Sequence, residues 1–211
     1  MNKFTRRTVI AAACAAAAMT FAPMSFAQQA PEKKDVTIAV GGKSLYYYLP
    51  LSIAEQLGYF KDEGLNVKIV DFQGGSRSLQ AVVGGSADVV SGAFEHTISM
   101  QAKKQPMTAF VLQGRAPQLA LVVSNKTMKD YKQLSDLKGK KVGVTAPGSS
   151  SQMVANFILK KGGLGPKDVA FIGVGSSSGA VSAIRSGQID ALINLDPVIT
   201  ILLKNGDAKL V

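Results

Sequence analysis

Two stretches of this chain carry nearly the same grammar: VKIVDFQGGSRSLQAVVGGSADVV over Val67–Val90 and VAFIGVGSSSGAVSAIRSGQIDAL over Val169–Leu192. Set side by side without a gap, Val67 meets Val169, Ser76 meets Ser178, Ala81 meets Ala183, Gly85 meets Gly187 and Asp88 meets Asp190. Each copy passes from a β-rich apolar run to a Gly/Ser loop, an amphipathic helical stretch, a glycine turn with an acid, and a second apolar run. That order specifies a strand-loop-helix-strand unit. One such unit describes a domain; two of them about a hundred residues apart predict two similar α/β lobes with a groove between them.

Of the 211 residues, 46% are hydrophobic and 18% charged, enough to bury a core, so disorder is excluded for most of the chain. The first segment stands outside that core. Residues 1–27 have a basic start, an apolar alanine-rich stretch and a small-x-small site at Ser25-Phe26-Ala27, the pattern of a cleaved secretory signal. The apolar stretch is short for a membrane span and ends at Pro23. Thr5-Arg6-Arg7-Thr8-Val9-Ile10 is also similar to a twin-arginine export signal, with Val9 where Phe is usual, and both export routes stay open. The only cysteine, Cys14, lies inside this segment, so the mature chain is expected to have neither a disulfide nor thiol chemistry. As a lipid anchor Cys14 has too short an apolar stretch before it and lacks the usual preceding Leu.

The net charge of +10 raises the question of nucleic acid. Lys103-Lys104, Lys140-Lys141 and Lys160-Lys161 are scattered pairs without interleaved aromatics, which reads as a solvated face, and no nucleic-acid partner is expected. A basic field also favours small anions.

The first lobe is expected over 35–117 and the second over 118–211. Asp35-Val36-Thr37-Ile38-Ala39-Val40 alternates like a strand, and the stretch from Pro50 puts Ile53, Leu57 and Phe60 on one helical face with Gly64 as the stop. Met107–Leu112 is expected to be a further strand, and Gln113-Gly114-Arg115-Ala116-Pro117 breaks the periodicity where a crossover between lobes fits. In the second lobe a helix following Ser151 is expected to turn Met153, Phe157 and Ile158 inward before Gly162-Gly163.

At a strand end, a Gly/Ser loop leading into a helix presents backbone N–H groups and the positive end of the helix dipole, a combination that holds anions. The chain offers three such loops: Gly74-Gly75-Ser76, Gly148-Ser149-Ser150-Ser151 and Gly175-Ser176-Ser177-Ser178. Each alone is also a tight turn with a Ser cap, but three of them on facing strand ends fit a ligand site of an open α/β sheet. Arg77 at a helix start and Arg115 beside the crossover are either anion contacts or solvated arginines. Tyr46-Tyr47-Tyr48 cannot all face inward, so one of them should reach the groove.

The catalytic alternatives are short of parts. Gly173-Val174-Gly175 with Gly179 is one residue too long for the dinucleotide fingerprint, and neither a phosphate-loop motif nor G-x-S-x-G occurs. His96 is the only histidine, and adjacent Glu95 points away from it on a helix, so no metal set forms and no cofactor is expected.

The stretch Ala54–Val67, AEQLGYFKDEGLNV, is followed by Gly74-Gly75-Ser76, Gly85-Ser86-Ala87-Asp88-Val89, Asp136–Gly143 (DLKGKKVG) and Gly187-Gln188-Ile189-Asp190-Ala191. This pattern resembles the nitrate/sulfonate/taurine-type substrate-binding proteins of ABC importers, over roughly Asp35 to the end. The resemblance implies a type II periplasmic binding protein, α/β and two-lobed, with its ligand cleft between the lobes. It further implies a monomer that is not an enzyme, captures a small anionic or polar organic solute and delivers it to a membrane permease. By position it implies a groove lined by Ser44, Tyr46, Gly75, Ser76, Ala93, Glu95, Gly148, Ser149, Ser150, Ser151 and Asp196. Family members run on beyond the point matching Val211 and return to the first lobe, so the resemblance also implies a C-terminally truncated chain. Two rivals remain. One is an enzyme on the same scaffold, like the pyrimidine-precursor synthases, whose cysteine-rich motif a cysteine-free mature chain cannot supply. The other is an extracytoplasmic ligand-sensing module.

The export reading predicts that protein recovered from the periplasm begins at Gln28. Intact-mass measurement checks it; a retained Met1 or a lipid on Cys14 would contradict it.

Overall fold

The computed structural model describes residues 31–211, so the expected export segment, 1–27, lies outside the described residues. Two sheets organise the chain. The first has the order β2-β1-β3, formed by β1 (Asp35–Val40), β2 (Asn66–Asp71) and β3 (Val89–Ser91), all parallel. As the central strand, β1 is buried from Ile38 to Val40 on both faces, as a covered parallel strand must be. The second sheet has the order β6-β5-β7-β4-β8. Its strands are β4 (Ala120–Ser124), β5 (Lys141–Val144), β6 (Ala170–Gly173), β7 (Ala191–Asn194) and β8 (Ala208–Leu210). Here β5 pairs parallel with β6 and β7, whereas β4 runs antiparallel to both β7 and β8.

Among the described residues seven α-helices accompany these strands: α1 (Leu49–Gln56), α2 (Tyr59–Asp62), α3 (Gly75–Val83), α4 (Glu95–Ala102), α5 (Ser150–Lys161), α6 (Ser178–Ser186) and α7 (Val198–Lys204). One apolar cluster contains Ile38, Val40, Leu45 and Tyr48 together with Ala180, Ile184, Leu192 and Leu195, so the two sheets share buried surface. A second, around Val123, Leu137, Leu159 and Ile193, belongs to the second sheet alone. Among the described residues no helix is long and apolar enough to cross a membrane.

The sequence repeat becomes a structural one. Helices α3 and α6 are nine residues each, and the acid that follows does the same work in both copies. Asp88 accepts the Thr37 N–H through its carboxylate at 2.8 Å and donates its own N–H to the Thr37 carbonyl at 2.9 Å. Asp190 accepts the Lys141 N–H at 2.9 Å and donates to the Lys141 carbonyl at 2.8 Å. Each acid thereby ties the returning strand to the middle strand of its parallel set, β1 in the first sheet and β5 in the second. The preceding glycines, Gly85 and Gly187, take the left-handed conformation (φ 75° and 82°) that the turn requires and other residues resist.

Three expectations fail, two for a tertiary reason and one for a local one. Met107–Leu112 is not a strand: it joins no ladder, and Phe110, Val111 and Leu112 stand 74%, 71% and 71% exposed. The segment is held instead by Gln113, whose amide accepts from Ser91 Oγ at 2.7 Å and donates to the Tyr47 carbonyl at 2.9 Å. In α5 the inward residues are Ser151, Ala155 and Leu159, while Met153 and Phe157 face outward and Lys161 Nζ lies 5.0 Å from the Phe157 ring centre. Ile53, Leu57 and Phe60 do not share one helical face, because left-handed Gly58 separates α1 from α2 and leaves Ile53 and Leu57 exposed.

Replacing Asp190 with Ala is expected to lower stability by about 1 to 3 kcal/mol, the usual worth of a hydrogen bond to a charged group, in a chemical-denaturation measurement. At Asp88 the bonds from Lys33 and Thr37 hold the carboxyl below its ordinary 3.8. Its stabilisation is therefore present above that value and lost as pH falls through the lowered one. Asp88→Asn should flatten that acid limb of the stability profile.

Candidate functional site

The carboxyl ends of the parallel strands in the two sheets face one another, and the loops that leave them are bonded directly across the gap. After β2, Gly74-Gly75 lead into α3; after β5, Ala146-Pro147-Gly148-Ser149 lead into α5. The Ser76 N–H donates to Ser149 Oγ at 3.1 Å, Ser149 Oγ donates to Ser76 Oγ at 3.2 Å, and Ser76 Oγ donates to the Pro147 carbonyl at 2.7 Å. The approach depends on glycine: a methyl group on Gly74 would lie 2.7 Å from the Ala146 methyl. A second bridge joins the Tyr46 N–H to the Asp196 carbonyl at 3.0 Å.

Beside these bridges lies a cavity of about 70 Å³. Tyr47, Gly75, Ala93 and Glu95 form one wall, Thr145, Ser150, Met153, Val154 and Leu195 the other, and Pro117 of the connecting segment closes an edge. The wall is mostly apolar, with hydroxyls from Thr145 and Ser150. Glu95 opens α4, where the positive end of the helix dipole favours a carboxylate. Its Oε1 is shielded from solvent and has no hydrogen-bond partner. Neighbouring Tyr47 has its phenol pushed up, by burial first and then by the Glu95 charge. Tyr48 is pushed up chiefly by burial, and its hydroxyl accepts the Gly41 N–H at 3.0 Å.

His96 is not one of the wall residues of this cavity, although its ring lies against Gly75, which is. Only 6% exposed, it has no hydrogen-bond partner on either ring nitrogen and lines a second space, an apolar groove of about 780 Å³ over the first sheet. Burial pushes its imidazole below the usual value, outweighing the opposing pull of Glu95 and of the Gly148 backbone, which lies near without completing a hydrogen bond. The ring is therefore neutral near pH 7. Among the described residues no group of three or more His, Cys, Asp or Glu side chains could hold a metal ion.

Of the residues singled out from sequence, Gly75, Ala93, Glu95 and Ser150 line the cavity. Ser76 and Ser149 make the cross-cleft bonds, and Ser151 Oγ accepts the Thr145 N–H at 3.0 Å behind the wall. Gly148 donates its N–H to Gln152 Oε1 at 2.7 Å. Asp196 spends its carboxylate on the Thr200 N–H and hydroxyl, at 2.9 and 2.8 Å, in the first turn of α7. Ser44, Tyr46, Arg77 and Arg115 are exposed and outside the cavity wall. Of the tyrosine triplet, Tyr46 faces out while Tyr47 and Tyr48 reach the cavity. Thr145, Val154, Leu195 and Met153, with Gly41, Leu45 and Gly92, are wall residues that sequence reasoning missed. Met153 carried a misleading signal, since its helical spacing had assigned it to the core.

Comparison with known proteins places these features. A family model described as NMT1/THI5 like matches residues 46–204. A solved structure from Bordetella bronchiseptica RB50 is 64% identical, with a TM-score of 0.83 over 85% of this chain and 56% of that one. The alkanesulfonate-binding protein of Xanthomonas axonopodis pv. citri, solved with MOPS, superposes with a TM-score of 0.64 at 23% identity, covering 86% of this chain and 61% of its own, and shows the shared fold. A Schizosaccharomyces pombe protein named 4-amino-5-hydroxymethyl-2-methylpyrimidine phosphate synthase is 27% identical over 76% of this chain. The chain spans 45% of that relative's length. With the fold of the type II periplasmic binding proteins and a family match over most of its length, the chain belongs to the NMT1/THI5-like family.

Proposed function

We propose that this protein captures a small solute outside the cytoplasm and passes it to an ABC permease in the membrane, without catalysing a reaction. The observation that carries the reading is the cavity whose walls come from both halves and whose rim is bonded by Ser76, Pro147 and Ser149. A solute touching both walls stabilises only the arrangement in which they meet, which is what a capture-and-release protein needs. In this reading 35–117 and 118–211 are the two lobes, they close about Gly114–Pro117, the protein works as a monomer, and the cleaved 1–27 segment directs it to the periplasm.

A catalytic reading draws support from the synthase name of the Schizosaccharomyces pombe relative. Turnover of a bound compound, followed by mass spectrometry of the released solute, separates the two: a binding protein returns its ligand unchanged.

Thermal-shift screening of a small-solute library should find compounds that raise the melting midpoint, and small-angle scattering with such a compound should show contraction. No contraction at saturation would sink the closure mechanism. Gly74→Ala sets a methyl against Ala146 and should keep the loops apart. Solute affinity, read by calorimetry, is then expected to fall roughly tenfold for each ~1.4 kcal/mol taken from the closed arrangement, with both sheets still folded by circular dichroism.

A further inference from the structure

We propose that the cavity takes a solute presenting a cationic nitrogen, an ammonium or amidinium group, and that Glu95 is the residue that selects it. The proposal rests on the solute-binding reading above and names the chemistry of the same site. Glu95 supplies the only formal charge in the cavity wall: among the described residues that line it there is no lysine, arginine or histidine. The nearby cations are elsewhere. Lys43 Nζ lies 2.8 Å from Glu55, and Arg77 and Arg115 are exposed away from the wall.

A helix-opening glutamate is often no more than a complement to the helix dipole. That role explains the residue type but not why Oε1 is withdrawn from water with nothing to accept. A buried polar atom left unsatisfied costs stability, and such atoms in folded proteins call for a partner. A donor carried by the solute is the partner that fits the geometry. An anion would meet the carboxylate at short range, and three of the loop amides, those of Ser76, Gly148 and Ser149, already donate to Ser149 Oγ, Gln152 Oε1 and the Ala146 carbonyl. The remaining wall suits a small organic cation, with the Ser150 hydroxyl to accept a further N–H bond and Met153, Val154, Leu195 and the Tyr47 ring as an apolar bed, while the Thr145 hydroxyl is engaged with Ser151 Oγ at 2.9 Å. One water fills about 10 to 15 Å³ of such a space, so 70 Å³ admits a group of a few heavy atoms.

Matched planar probes of opposite charge test this on the full chain by calorimetry and thermal shift: guanidinium against nitrate, and acetamidinium against acetate, with methanesulfonate as a third anion. The cations should bind saturably at millimolar concentration and the anions should not. Glu95→Gln should lose roughly ten- to a hundredfold in cation affinity, the loss of one charge-assisted hydrogen bond, while its unliganded melting midpoint stays level or rises because an unpartnered charge has gone. Ser150→Asp, which adds a second carboxylate to the wall, should strengthen the cationic probes. Saturable anion binding by the parent, cation binding indifferent to Glu95→Gln, or no saturable cation binding at all would each overturn the assignment. Anion binding accompanied by contraction in scattering would do so while leaving the solute-binding reading intact. Contraction with no solute in the library would instead remove that reading.

Discussion

An exchange of two hydrogen bonds, made once in each half, fixes the frame on which the site is built. Asp88 with Thr37, and Asp190 with Lys141, bind the strand that follows a helix to the middle strand of its parallel set, β1 or β5. Without that clamp the parallel ladder of each third strand is short: β3 pairs with β1 at three residues and β7 with β5 at two, β7 being held otherwise by its antiparallel pairing with β4. With it, the helices are carried over one face and the strand carboxyl ends point the same way, where open α/β sheets place their ligands. Both lie at the strand feet, away from the ligand end, so the clamps stabilise the scaffold without entering the chemistry.

At the opposite end the two halves meet through hydroxyls and carbonyls, and the charge there has the other sign from the molecule as a whole. The chain is strongly basic, with a formal charge of +10, yet among the described residues the cavity wall carries one charge and it is negative. Surface charge acts over distances of about a Debye length and is screened by salt, whereas a carboxylate oxygen cut off from water acts at contact and at low dielectric. The overall basicity therefore says little about what fits inside.

Much of the scaffold was legible in the sequence because its signals are local. The glycine turns, the two helix registers and the paired acids sit at matching positions in both copies, and each constrains its own few residues. The parts that failed are those that depend on a distant partner. Met107–Leu112 has the composition of a strand, but a strand exists only against another, and none pairs with it. Met153 and Phe157 have core spacing, yet α5 turns Ala155 and Leu159 inward instead. The serine loops were recognised as strand-end loops, whereas their engagement with each other is a contact between residues 73 positions apart that no local pattern announces. Glu95 was placed in the groove by resemblance; its orphaned oxygen is visible only once the wall around it is assembled.

Among the described residues the two sheets are joined by a single run of chain, from the end of α4 to the start of β4, with no regular structure of its own. The mutual orientation of the sheets is held by the contacts that span the gap: the serine bonds at one point, Tyr46 to Asp196 at another, and the apolar cluster the sheets share. Separated contact points resist torsion in a way that either alone cannot, so loosening one of them should cost the site its alignment before it costs the protein its fold.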